Sequence, residues 1–352
     1  MRSEDYFSSD YATASRRFRS KALENGACLE RIELDVNVPN GDALGIDIAW
    51  IGAQRPRRVL VHSSGLHGVE GFAGSAIQLQ LLERLPQIPA DAALVVVHIL
   101  NPFGMAYLRR VNENNVDLNR NFRSDGSYRG APPRYSDALL NPQTPPAFDF
   151  FLLRIVLSGA RHGIAAMKQS IVEGQYEFPQ GLFFGGKQRE EGPRKYESFL
   201  RSRLSEAEHT IFIDVHTGLG KFANHMLLVE QTDYETLRKL FGERVTALQP
   251  YGGSGYSIEG GIESMLFRSI TRNRPIFICQ EFGTYNGIRV LHALREENRW
   301  HHFHGGEKLD HYSKQYIKET FCPKSEHWRS AVLKQGSEVL ERAIQVLLSA
   351  VP

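Results

Sequence analysis

The residues of this chain best suited to chemistry begin with His67 and Glu70, in the segment Val59-Leu60-Val61-His62-Ser63-Ser64-Gly65-Leu66-His67-Gly68-Val69-Glu70-Gly71. The segment reads as a strand, a glycine-containing turn and the start of a helix. If His67 leaves the turn as Glu70 enters the first helical turn, imidazole and carboxylate point to one centre. Such a pair is two of the three protein ligands of a catalytic zinc, whose fourth position stays open for water. Taken alone, the spacing is better read as a surface His and a Glu attracted to a helix N-terminus, so the metal reading needs further support. A third ligand is available in Ile211-Phe212-Ile213-Asp214-Val215-His216-Thr217-Gly218, where an apolar strand runs into a histidine and a glycine turn. Asp214 lies two residues before His216, on the same strand face, so it either supports the metal environment or serves as a capping carboxylate.

A further island, Arg109-Arg110-Val111-Asn112-Glu113-Asn114-Asn115-Val116-Asp117-Leu118-Asn119-Arg120-Asn121-Phe122, is dense in amide and guanidinium groups. The guanidinium fork can grip both oxygens of a carboxylate, so the island suits a substrate that carries one. By composition alone it is an ordinary polar loop.

These groups need a scaffold, and the alternation of short β-branched runs with helical patterns predicts an α/β fold. Strands are expected at Leu29–Val36, Gly45–Ile51, Arg58–His62, Ala93–Leu100, Thr210–Val215, His225–Val229 and Pro275–Cys279. Several are continuously apolar, which suits a sheet covered on both faces. Helices are expected at Glu70–Leu85, where Ala73, Ile77, Leu81 and Leu85 recur every four residues, and at Ser325–Leu348. Others are expected at Phe148–Glu173, Pro193–Glu208 and Tyr234–Arg244. Ser124–Pro146 and Tyr251–Gly261 read as long loops, either functional rims or plain connections.

In their order along the chain, His67-x-x-Glu70, Asp117-Leu118-Asn119-Arg120-Asn121-Phe122, His216 and Gln280-Glu281-Phe282 resemble the zinc carboxypeptidases of the carboxypeptidase A type. The likeness runs from about Val59 to Tyr285, and it is similar in detail to a bacterial branch of that superfamily. It implies one domain over residues 1–352, with a mixed central sheet flanked by helices on both faces. It implies that His67, Glu70 and His216 bind Zn2+, that Asn119 and Arg120 hold the free carboxylate of the substrate, and that Arg110 stabilises the oxyanion, with Arg109 as the rival. Glu281 would be the general base and acid. Tyr256, rather than Tyr251, would clamp the substrate, and the wall of the specificity pocket would lie near Met265–Phe267.

These roles also make chemical sense. Zinc brings the pKa of bound water near neutrality. Glu281 follows the apolar run Pro275-Ile276-Phe277-Ile278-Cys279, where burial would raise its proton affinity. Arg110 would meet charge that exists mainly in a tetrahedral intermediate. The expected function is therefore zinc-dependent hydrolysis of an amide bond beside a free carboxylate, removing a C-terminal residue from a peptide. An N-acyl amino acid deacylase similar to succinylglutamate desuccinylase and aspartoacylase is the alternative, and a metal- or ligand-binding protein without catalysis is a third reading.

Composition narrows the field. The 352 residues are 41% hydrophobic, with 42 Lys and Arg against 40 Asp and Glu, as in a globular protein with no basic footprint for nucleic acid. The apolar run Ala92–Leu100 is about half of the roughly 20 residues a membrane helix needs. The N-terminal residues lack the apolar run of a secretory signal, and Cys28, Cys279 and Cys322 are too scattered for a disulfide framework, so a cytoplasmic enzyme is expected. His292, His301, His302, His304 and His311 form a histidine-rich region, read as a partly buried helix end or loop rather than a metal site. His62 is read as a satisfied core histidine.

Overall fold

Runs such as Leu94-Val95-Val96-Val97 have no polar face, so as strands they must be covered on both sides. A computed structural model describes residues 2–36, 43–133, 135–141, 150–163, 169, 172–248, 260–305 and 308–348. Its strands are β1 (Cys28–Glu33), β2 (Gly45–Gly52), β3 (Arg58–Ser64), β4 (Ala92–His98), β5 (His209–Thr217), β6 (His225–Val229), β7 (Val245–Ala247) and β8 (Ile276–Phe282). They form one mixed eight-stranded sheet in the order β1-β2-β4-β3-β5-β8-β6-β7. The core β4-β3-β5-β8 is parallel, and the flanks bring in antiparallel β1-β2, β2-β4 and β8-β6 pairs. This is the α/β class expected from the sequence.

The side-chain alternation of the strands divides the core in two. Leu60, Leu94, Val96, Ile211 and Ile213 pack on one face with Phe18, Phe72, Ile77 and Trp328 from helices Tyr11–Glu24, Gly71–Glu83 and Glu326–Leu348. Val61, Val95, Val97, Phe212 and Phe277 pack on the other with Tyr196, Leu200 and Met265 from helices Glu191–Leu204 and Ile262–Ser269. Helix Gly71–Glu83 is apolar nearly all round because it lies between the sheet and the C-terminal helix. Gly74 is required there: a Cβ at that position would come within 2.2 Å of the Ser64 Cβ.

The chain leaves β3 through helix Gly71–Glu83 to β4 on one side, and β5 then joins β3 on the other. Such a reversal opens a crevice at the C-terminal strand ends. His67 follows β3 into this crevice, and His216 and Glu281 enter it from β5 and β8.

Several elements differ from the sequence reading. β7 is only three residues long, too short to leave a periodic signal. Helices Tyr11–Glu24, Ile262–Ser269, Gly287–Phe303 and Tyr312–Phe321 are additional to the expected ones. β5 and β8 run two and three residues beyond their expected ends, and His216 and Glu281 pair with each other at these strand ends. The loop Ser124–Pro146 contains a helical turn at Asp137–Leu140. No helix among the described residues is long and apolar enough to cross a membrane.

Candidate metal centre

The turn after β3 is made by close backbone approach. Gly68 N–H donates to the Arg110 carbonyl at 3.1 Å and Val69 N–H to the Arg109 carbonyl at 2.8 Å. A Cβ on Gly68 would meet the Gly104 backbone at 2.1 Å, so glycine alone lets the two segments touch. This contact delivers Arg110 to the same place as His67 and Glu70.

Ligand-type atoms of His67, Glu70 and His216 lie within 4.8 Å of one another, and all three residues are buried. His67 Nδ1 is 3.0 Å from Glu70 Oε1, His216 Nδ1 is 3.2 Å from Glu70 Oε2, and the two Nδ1 atoms are 3.2 Å apart. Both imidazoles thus turn Nδ1 inward. Their outer nitrogens are held by carboxylates: His67 Nε2 lies 3.1 Å from Asp117 Oδ1 and His216 Nε2 lies 2.8 Å from Asp214 Oδ2. Carboxylate–histidine pairs of this kind fix the ring and the tautomer of a metal-binding imidazole. Asp214 is aimed in turn by Ser63 Oγ, which donates to it at 2.7 Å across the β3–β5 register. Two nitrogens and a carboxylate, buried and oriented from behind, suit a divalent cation such as zinc.

The charges are consistent with a site built around a cation. Burial opposes ionisation of Glu70, yet His67 and His216 hold its pKa well below the usual carboxylate range. Burial likewise opposes charge on His216, but Asp214 and Glu70 raise its pKa well above the ordinary value. Burial also works against Asp117, and Arg110, Arg120 and His67 outweigh it, keeping this carboxylate ionised.

Arg110 closes one side. Its Nη1 donates to Glu70 Oε1 and its Nε to Asp117 Oδ2, both at 3.0 Å, while Nη2 lies 2.7 Å from His67 Nε2. Its rival Arg109 is fully buried away from this cluster, bonded to Glu297, Asn115 and Asn298, and is a core residue. On the other side Glu281 pairs with His216 across the β5–β8 register. Its Oε1 accepts from Leu219 N–H at 2.8 Å, and burial, reinforced by the charge of Glu70, pushes its pKa up to about 7.

A cavity of about 450 Å³ opens beside these groups, lined in part by His67, Glu70, His216, Glu281, Arg110, Asn119 and Arg120. Asn119 Oδ1 accepts from Ile262 N–H at 3.1 Å. The Arg120 guanidinium is engaged by carbonyls: Nε donates to Val172 O at 2.9 Å and Nη1 to Asn119 O at 3.0 Å, with Asp117 3.9 Å away.

Tyr256 and Tyr251 fall outside the described residues. The expectation that Met265–Phe267 forms the pocket wall is not met. Met265 and Leu266 point into the core, and the same helix presents Ile262 and Glu263 to the cavity instead. His62 is a core residue, contacted by Gln78 and pushed down to a pKa of about 4 by burial. His301 and His302 end helix Gly287–Phe303, and burial brings them down to about 3 and 4. Asp117, within the Asp117-Leu118-Asn119-Arg120 stretch, has a role that appears only in the folded chain, as the carboxylate behind His67. The clue was present, since an acidic residue within a cluster of metal-type and cationic residues is the usual partner for a ligand histidine.

The sequence matches the family described as "Protein of unknown function (DUF2817)" over residues 7–335. The chain belongs to the DUF2817 family. No curated protein matches it. Among solved structures, this DUF2817 chain is similar to carboxypeptidase A from Helicoverpa armigera, at 12% identity and TM-score 0.48, over 97% of this chain and 74% of that one. It is similar to bovine thrombin-activatable fibrinolysis inhibitor, solved with tick carboxypeptidase inhibitor, at 12% identity and TM-score 0.47, over 96% and 99%. A protein described as of the succinylglutamate desuccinylase / aspartoacylase family, from Shewanella amazonensis SB2B, is similar at 15% identity and TM-score 0.42, over 73% and 66%.

Proposed function

We propose that this DUF2817 chain is a zinc metallocarboxypeptidase, a single catalytic domain over residues 1–352 that hydrolyses the amide bond next to a free C-terminal carboxylate. The reading rests on one observation: two inward Nδ1 atoms and the Glu70 carboxylate converge, with each imidazole backed by an aspartate. His67, Glu70 and His216 would hold the metal. When bound, zinc supplies an acidified water and polarises a carbonyl.

The other roles belong to the chain itself. Glu281, with its proton affinity lifted to about 7, is suited to accept a proton at Oε2 and return it to the leaving amine. Arg110 presents donors at the edge of the cluster for the oxygen that becomes negative in the tetrahedral intermediate. Asn119 and Arg120 would take the substrate carboxylate, its oxygens replacing the carbonyls that now face the Arg120 guanidinium. Tyr256 is proposed to cover the bound substrate.

The test is metal analysis of the purified protein, followed by a panel of blocked dipeptides and N-acyl amino acids. About one zinc per chain and release of C-terminal residues are expected. Cleavage confined to N-acyl amino acids would replace the peptidase by the deacylase, and full zinc with no hydrolysis of either class would refute the hydrolase. Replacing His67 or His216 by Ala should abolish stoichiometric zinc, and a folded variant that keeps it would remove that residue from the ligand set.

A further inference from the structure

The stretch Gly181-Leu182-Phe183-Phe184-Gly185-Gly186 supplies Phe183 to the cavity wall. Its backbone is strapped to the arginine–asparagine island. Asp117 N–H donates to the Phe184 carbonyl at 2.7 Å, and the side-chain amides of Asn115 and Asn121 donate to the Gly181 and Gly185 carbonyls at 3.1 and 2.9 Å. Gln175 clasps the stretch further: its N–H donates to the Phe183 carbonyl at 3.0 Å and its carbonyl accepts from Gly185 N–H at 2.8 Å. The stretch is therefore fixed relative to Asp117, the carboxylate behind His67.

Phe183 is held in the left-handed region, with a φ of 57°. A bulky residue is strained there, and glycine, which occupies positions 181, 185 and 186, would not be. Leu108, two residues before Arg110, is left-handed as well, with a φ of 51°. Strain of this kind persists where the surroundings over-determine a residue, and it collects at functional sites. Phe184 goes into the core beside Val116, Leu118 and Phe122. Phe183, only 7% exposed, joins a separate cluster with Val69, Leu294 and Phe321. Its ring centroid lies 5.6 Å from Arg110 Cζ, within reach of a cation–π contact.

The Arg110 guanidinium thus lies over an aromatic ring while its Nε and Nη1 donate to Asp117 and Glu70. The ring shields one side of the cation from water. Donors that act through the resulting lower dielectric stabilise a nearby negative oxygen more strongly. An aliphatic side chain of similar bulk would fill the space without attracting the cation.

We propose that Phe183 is the positioning residue of Arg110: its ring fixes the guanidinium at the cavity wall, so that the donors meet the oxygen that becomes negative in the tetrahedral intermediate. This rests on the hydrolase reading for the role of Arg110, but the contact between ring and cation can be tested without turnover. A cation–π contact is worth about a 2- to 30-fold change in rate.

The experiment uses the zinc-loaded full chain, its Phe183→Leu variant, and proteins carrying mono-, di- and trifluorophenylalanine at position 183. Fluorination keeps the shape of the ring and withdraws the charge that attracts a cation. N-blocked dipeptides give kcat and KM, and phenylglyoxal labelling of Arg110, read by mass spectrometry, gives its accessibility. With each added fluorine kcat should fall, by about 2- to 30-fold over the series, with KM within about twofold of the wild type and zinc content unchanged. Phe183→Leu should lose as much kcat, and Arg110 should be labelled faster in it and in the trifluoro protein than in the wild type. A kcat that does not follow fluorination, or a loss confined to KM, overturns the assignment. If no dipeptide is cleaved, the hydrolase reading falls, and the labelling still decides the contact: equal rates in all proteins would show that the ring does not hold Arg110. If Phe183→Leu does not fold, the fluorinated series decides the question, because its shape is that of the wild type.

Discussion

Asp117 offers a direct test of how the centre is held. It is fully buried, its Oδ1 lies 3.1 Å from His67 Nε2, and its Oδ2 accepts from Arg110 Nε at 3.0 Å. Asp117→Asn keeps the shape, and the amide oxygen can still accept from His67. What disappears is the charge that backs the His67 ring and neutralises two guanidinium groups. Loss of such a supporting carboxylate lowers metal affinity by about 10- to 100-fold, or roughly 1.4–2.7 kcal/mol. Stability should fall as well. Breaking a buried ion pair costs about 3–5 kcal/mol, and the lower end applies because Arg110 keeps Glu70 at 3.0 Å. Zinc affinity measured against a competing chelator, with chemical unfolding of the apo protein, separates the two effects. Asp214→Asn should weaken zinc similarly through His216, whose Nε2 is 2.8 Å from Asp214. A folded Asp117→Asn protein that binds zinc within twofold of the wild type would refute this account of the centre.

Glu281→Gln should leave zinc content intact and cut kcat by orders of magnitude; undiminished turnover would exclude Glu281 as the base. In the wild type kcat/KM should fall as acid protonates Glu281, with the limb at or below about pH 7, since any bound cation adds to His216 and Arg110 in drawing the pKa down. A pH profile flat from 5 to 8 on the ~1-unit scale of such shifts would contradict that assignment. Glu263 makes a separate statement about stability. Its folded pKa of about 7 lies above the ordinary 4.5, so its contribution is complete below pH 4.5 and is lost as pH rises through 7. The loss amounts to about 3 kcal/mol, so Glu263→Gln should be stabilised relative to wild type at pH 8 but not at pH 4.5. Unfolding curves at the two pH values measure the difference, and a gap that does not change with pH would show that Glu263 is not desolvated.

The two imidazoles, the glutamate beside them and the arginine–asparagine island were legible in the sequence because donor chemistry is a property of residue type, and types in order along a chain carry a pattern. The central strands were legible for a similar reason. A run like Leu94-Val95-Val96-Val97 has one stable environment, so its place between two helical layers follows from local composition.

Other features were decided by distance in space. Asp117 lies 50 residues from His67 and meets it only because Gly68 lets the turn after β3 touch the Arg109–Arg110 backbone. Arg109 and Arg110 are adjacent and chemically identical. Packing sends one to Glu297 in the core and the other to the crevice. Met265 and Glu263 share one short helix, and its rotation against the sheet buries the apolar residue in the core and turns the acid towards the cavity. Sequence specifies which groups a chain owns and which strands it must bury. Which of those groups lack a partner is a sum over neighbours distant in the chain, and only the folded packing determines it.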